Sequence, residues 1–143
     1  MSGVAVIINL LLADAATVAA TGANQVMAGD IPLGTTLPVL GVSLISGTPR
    51  NTLSMLEPGR LMTDRVQVTA LVKMRGEDPE GTGYPGMKAL LALVLAACPN
   101  QRGTVGGILV DSILPDIEGP DFNYTAEGIV GGSRDFIVKW KTA

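Results

Sequence analysis

Four carboxylates, Asp111, Asp116, Glu118 and Asp121, form the densest acidic stretch of the chain. Oxygen ligands on a flexible loop can bind a hard cation such as calcium. This spacing matches no calcium loop, however, and Pro115 and Pro120 interrupt it. The stretch therefore reads as a solvated acidic surface. A second candidate is "GTGYPGMK", Gly81 to Lys88, which precedes an apolar helical pattern. A phosphate loop must end in Gly-Lys-Ser/Thr so that lysine reaches phosphate and hydroxyl reaches magnesium. Here Met87 separates Gly86 from Lys88, and Ala89 stands where the hydroxyl belongs. Cys98 closes a helical pattern beside Pro99, where the negative end of the helix dipole disfavours a thiolate. Ser43, Ser46 and Ser54 have no histidine to activate them, which leaves only a serine–lysine arrangement. Glycoside hydrolysis would need a cleft with stacking aromatics, and the chain has two Phe, two Tyr and one Trp.

Composition narrows the classes further. The chain has 143 residues and no histidine, so it lacks the usual general base and the commonest metal ligand. No enzyme reading has positive support, and neither a cofactor nor a metal is expected. A hydrophobic content of 47% against 16% charged residues marks an ordered chain. With Lys and Arg at 10 and Asp and Glu at 13, the net charge of −3 argues against a module that grips duplex DNA. One cysteine excludes an intrachain disulfide. The N-terminal "VAVIINLLL" has the look of a short signal core, but the first positive charge in the chain is Arg50. Val4, Ile7, Ile8, Leu11 and Leu12 share one helical face, so the segment reads as a core-docked helix.

After this helix, Asp14 is placed to cap a short Ala-rich turn ending near Gly22. A proline loop follows and enters a strand over residues 37–46. In "RVQVTALVK", Val66, Val68, Ala70 and Val72 alternate with Arg65, Gln67, Thr69 and Lys73, the pattern of a strand with one buried face. A second helix is expected over 85–97, with Pro85 in its first turn and Pro99 beyond its end. Further strands are expected at 107–114 and 133–141, the latter with Phe136, Val138 and Trp140 on one face. The sum is one α+β domain spanning residues 1–143: a mostly antiparallel sheet of about four strands with two amphipathic helices packed on one face. Segments 47–60, 75–84 and 115–132 read as long loops, the usual place for contacts with partners.

The order of these segments resembles the tail-terminator or tail-completion proteins of long-tailed bacteriophages, prophages and gene-transfer particles. The resemblance runs through "VIINLLLADAA", "VMAGDIPLGTTLPVLGVSLIS", "DRVQVTALVK", "GYPGMKALLALVLAA" and "SRDFIVKWK", nearly the whole chain. Its most specific part is Gly-Asp-x-Pro-x-Gly-x-x-x-Pro entering a strand, followed by Arg-Val-Gln-Val. Relatives commonly carry a basic residue just before that loop, where this chain has Gln25 and Val26, so a role for that side chain does not transfer.

The resemblance implies a structural virion protein of the tail or neck, assembled in the host cytoplasm and not associated with a membrane. It would form a homo-oligomeric ring, typically a hexamer, that stops tail-tube polymerisation. Its partners would be the tail tube protein and the head-side connector or stopper, with genome DNA passing through the bore. Another neck or tail component, such as a tube or head-closure protein, is the nearest alternative; a small metal- or ligand-binding domain is a further one. Turn-rich, partly apolar composition points to residues 29–38 and 47–60 as contacts with neighbouring subunits or the tube: Asp30, Pro32, Leu33, Arg50, Leu53, Met55, Leu56 and Arg60.

Overall fold

Ser2 opens the first helix, α1 (Gly3–Ala13), by accepting a hydrogen bond from the Ala5 N–H on its hydroxyl at 3.4 Å. The computed structural model describes residues 2–22, 24–32, 35–50, 61–75, 81–124 and 127–141, together with the backbone but not the side chain of Arg50. Asp14 ends α1 in an extended conformation and then caps α2 (Ala15–Thr21), its carboxylate accepting from the Thr17 N–H at 3.1 Å and the Thr17 hydroxyl at 2.7 Å. The two helices meet at 86°. Gly22, with φ +98°, stops α2, as the sequence pattern anticipates.

The strands are β1 (Val26–Ala28), β2 (Val39–Arg50), β3 (Leu61–Lys73), β4 (Gly103–Val105), β5 (Ile108–Glu118), β6 (Phe122–Tyr124) and β7 (Ile129–Lys141), with α3 (Gly83–Ala97) between β3 and β4. They form one sheet in the order β1-β2-β3-β7-β5-β4, and β6 also pairs with β7. β3 and β7 are its spine, in register from Leu61 opposite Lys141 to Lys73 opposite Ile129. β1 joins β2 in parallel and the other pairings are antiparallel, so the sheet is mixed. It curls into a half-barrel.

This corrects the expected architecture. The described residues hold seven strands and three helices, where the sequence suggested about four strands and two helices. β1, β4 and β6 have three residues each, too short for a two-residue alternation to register. The segment 115–132, expected as a loop, is largely strand. β5 continues through Pro115 to Glu118, and β6 resumes the pairing at Phe122 opposite Gly131. Pro115 is tolerated because β5 lies near the sheet edge, and shifts in register after Val110 and Pro115 absorb the irregularity.

α1 and α3 cover one face of the sheet. Between them lie Val66, Val68 and Ala70 of β3, Phe136 and Val138 of β7, and Met87, Leu90, Leu91 and Val94 of α3, all buried. Truncating a fully buried Phe136 to alanine would cost about 3–5 kcal/mol. The buried face of α1 is turned relative to the expected one: Val6 is fully buried and Leu12 is 42% exposed. The cause is Gly3, where a Cβ would stand 2.9 Å from the Asp64 Cβ and 3.1 Å from Val66, so the helix approaches β3 along the line of Gly3, Val6 and Ile7.

Asp64 is the main polar group in this core and is 3% exposed. Its Oδ2 accepts from the Gly3 N–H and from Trp140 Nε1–H, each at 2.8 Å. One carboxylate thereby ties β3 to the start of α1 and to the end of β7, where the helix dipole also favours negative charge.

Candidate assembly interface

The loop after α2 is held at its base. Gln25 Nε2 donates to the Pro38 carbonyl at 3.1 Å and also to the Thr36 carbonyl, while Leu40 N–H donates to the Gln25 carbonyl at 2.8 Å. Gln25 is thus a clasp across the loop. Gly29 N–H donates to the Val42 carbonyl at 2.7 Å, and Thr35 Oγ1 donates to the Pro32 carbonyl at 2.6 Å. Ile31 lies over Gly41 of β2, where a Cβ would approach its side chain to 2.9 Å. The loop therefore folds over the sheet face opposite the helices and leaves Asp30 and Pro32 exposed.

Beneath it, Ile31, Leu37, Leu71, Tyr124, Ile129 and Glu127 border an apolar cavity of about 310 Å³. The same face also carries polar pairs. Arg65 Nε donates to Asp135 at 3.1 Å and its NH2 group pairs with Asp116, while Gln67 donates to the Ser133 hydroxyl at 3.3 Å.

The second expected contact segment is only partly visible. Residues 47–50 are strand, not loop, because β2 continues its pairing with β3 to Arg50 opposite Leu61. Leu33, Leu53, Met55, Leu56, Arg60 and the Arg50 side chain lie outside the described residues.

The acidic cluster is shared among cations of the chain. Asp111 lies 3.5 Å from Arg102, Asp116 pairs with Arg65, and Glu118 and Asp121 each sit 2.9 Å from Lys88 Nζ. Hydrogen bonds from Lys88 hold both of those carboxyls below their ordinary values, and the same bonds, Glu118 first, raise Lys88 above its own. Lys88 also lies 5.3 Å from the Tyr84 ring centre. This fastens the N-terminal turns of α3 to the β5–β6 strand, so Lys88 serves as an ion-pair partner here, away from any phosphate-loop geometry. Among the described residues no group of three or more metal-ligating side chains occurs. Cys98 is buried, and desolvation, helped by the charge of Asp14, pushes its thiol up to about 12.

Several exposed residues that sequence patterning did not single out stand on the sheet edges. Leu44 and Ile45 of β2 are 49% and 51% exposed, and Leu114 and Ile117 of β5 are 44% and 56% exposed. An uninterrupted apolar strand such as "VLGVSLIS" reads as buried on both sides, so its exposure is not legible from pattern alone.

No protein-family model matches the sequence, and no curated protein matches it. By structure, the chain is similar to a chain from the "Virion of native gene transfer agent (GTA) particle". The two share 15% sequence identity with a TM-score of 0.66, over 95% of this chain and 92% of that one. At this identity the likeness establishes the fold.

Proposed function

We propose that the chain is a structural protein of a phage-like virion, and specifically the ring that ends a tail tube. The observation that carries the proposal is the fold likeness, across 95% of this chain, to a chain of a gene-transfer particle. It agrees with the resemblance carried by the proline loop and the Arg-Val-Gln-Val strand. The ring would be a hexamer of this chain that caps the tube, arrests its growth and offers its other surface to the head-side connector. Genome DNA would pass through without sequence-specific contacts. A chain of net charge −3 suits a passage that must not hold phosphate. The role is mechanical and requires no catalytic group.

Two contact segments belong to the proposal: the clasped loop presenting Asp30 and Pro32, and the β2–β3 connection carrying Leu53, Met55, Leu56 and Arg60. Mass determination and negative-stain microscopy of the purified chain, alone and with tail tubes, test it. A closed ring that seats on tube ends and halts elongation is the expected result. A stable monomer that ignores tubes would count against the reading, and growth into open tubes would reassign the chain to the tube itself.

A further inference from the structure

Both sheet edges are left partly open. β1 covers β2 only at Leu40–Val42, and β4 covers β5 only at Ile108–Val110, with the Asn100 side chain taking the Ile113 N–H at 3.1 Å. Among the described residues, 43–50 on one edge and 114–118 on the other have no outer strand partner.

The ladders place these two stretches at the same height. Leu44 is opposite Val66, Val66 opposite Phe136, and Phe136 opposite Pro115. One step along, Ser46, Arg65, Ile137 and Leu114 form the next row. Three antiparallel steps separate β2 from β5, so they run in opposite directions. A second copy in the same orientation, set beside the first, would bring its β5 edge against β2 with antiparallel polarity and matched height. Within one copy the edges are three strand spacings apart, about 14 Å, and cannot meet.

Side chains and charge agree with this apposition. Among the described residues eight large hydrophobics are exposed, and five of them, Leu44, Ile45, Leu109, Leu114 and Ile117, lie on these two strands. Sheets that remain single guard their edges with charge, yet residues 43–49 carry none. On the opposite edge, Asp116 and Glu118 are already engaged by Arg65 and Lys88. The uncharged β2 edge therefore meets no like charge on the β5 edge.

We infer that successive copies of this chain associate head to tail, the β2 edge of one against the β5 edge of the next. At this height Leu44 lies beside Pro115 and Ser46 beside Leu114 of the next copy, with Ile45 and Ile117 at the register shifts of the two strands, and each copy keeps one edge for its next neighbour. Repetition of such a heterologous contact closes a ring when its rotation permits. The inference rests on the ring reading above and names its seam. Pro49 and Pro115 remove one donor from each strand, so the contact is short and mainly apolar.

Cysteine pairs test it in the full chain, with the parent and its buried Cys98 as control. The first pair is S46C with L114C. The second is T48C with S112C, whose positions share a row through Thr63 and Lys139. A disulfide requires Cα atoms within about 7 Å, so closure inside one copy is excluded. Mild oxidation of at least one double variant should give a ladder of covalent multimers on a denaturing gel, ending at the assembled mass, while each single variant stays monomeric. I45K, at an exposed position, should keep the circular dichroism of the parent and lower the assembled fraction at least tenfold. Covalent dimers from a single-cysteine variant would overturn the head-to-tail seam. A ring of normal mass with no ladder from either pair would overturn it while leaving the ring reading intact. Monomers at every concentration would overturn both.

Discussion

Replacing Asp64 by alanine removes the acceptor of two buried hydrogen bonds, from Gly3 N–H and Trp140 Nε1–H, each 2.8 Å long. Bonds to a charged acceptor contribute about 1.5–3 kcal/mol each, and both donors would be left in a site that water does not reach. Because the bonds share one oxygen they will not add fully, and the expected loss is about 3–5 kcal/mol. Against a typical total of about 5–15 kcal/mol, that threatens the fold itself. The side-chain amide introduced by D64N can set its single oxygen where Oδ2 stands and keep both donors at neutral strength, so its expected cost is only about 1–2 kcal/mol. Urea unfolding, followed by circular dichroism and by emission of Trp140, the only tryptophan, gives both numbers. Adding W140F completes a double-mutant cycle with D64N and should reveal coupling above about 0.5 kcal/mol. If D64A lies within about 1 kcal/mol of the parent at unchanged slope, or D64N costs as much as D64A, the clasp does not work through these bonds.

Three further outcomes concern contacts elsewhere in the fold. Glu118 and Asp121 have carboxyls lowered by Lys88, so their stabilisation is complete above the ordinary carboxylate range near pH 4 and is lost as pH falls through the lowered values; K88M should flatten the acid limb of a stability–pH curve. Cys98, with its thiol pushed up to about 12, should react with an aromatic disulfide reagent at pH 8 at least a hundredfold more slowly in the folded chain than in urea. G41V should displace Ile31 and loosen the clasped loop, read as faster proteolysis within 29–38 at little change in the remaining circular dichroism, because a Cβ there already meets Ile31 at 2.9 Å.

The parts of the fold legible in the sequence are those whose side chains alternate against one core. β3 and β7 each present a two-residue pattern, interrupted only by Leu71 and by Ile137 over 65–73 and 136–140, and the structure buries Val66, Val68, Ala70, Phe136, Val138 and Trp140 as that pattern requires. Asp14 and Gly22 are legible for another reason: a cap and a left-handed stop depend on local chemistry alone. Asp64 is harder. It falls in phase with Val66 and Val68, and a charge in phase with a buried row signals a buried partner; its partners, Gly3 and Trp140, are 61 and 76 residues away and leave no local trace. The Pro-Gly punctuation of 115–121 misleads for a physical reason too. Near an edge, a strand can lose a donor and gain bulges without losing its place.

The candidate interface is less legible than the core because exposure on an edge depends on what a neighbouring strand leaves uncovered. A run such as "VLGVSLIS" belongs equally to a strand buried in mid-sheet and to one whose partner ends after three residues. β1 is such a partner: it stops at Ala28, opposite Val42, and the chain then turns away through Gly29 to lay Ile31 on the far face. The same proline loop that marks the family resemblance therefore also determines where the β2 edge becomes open. Lengthening β1 by even two residues would cover Ser43 and Leu44 and remove half of the apolar edge. In the proposed ring, the loop's shape would act on assembly in two ways, through the side chains it presents and through the backbone it declines to cover.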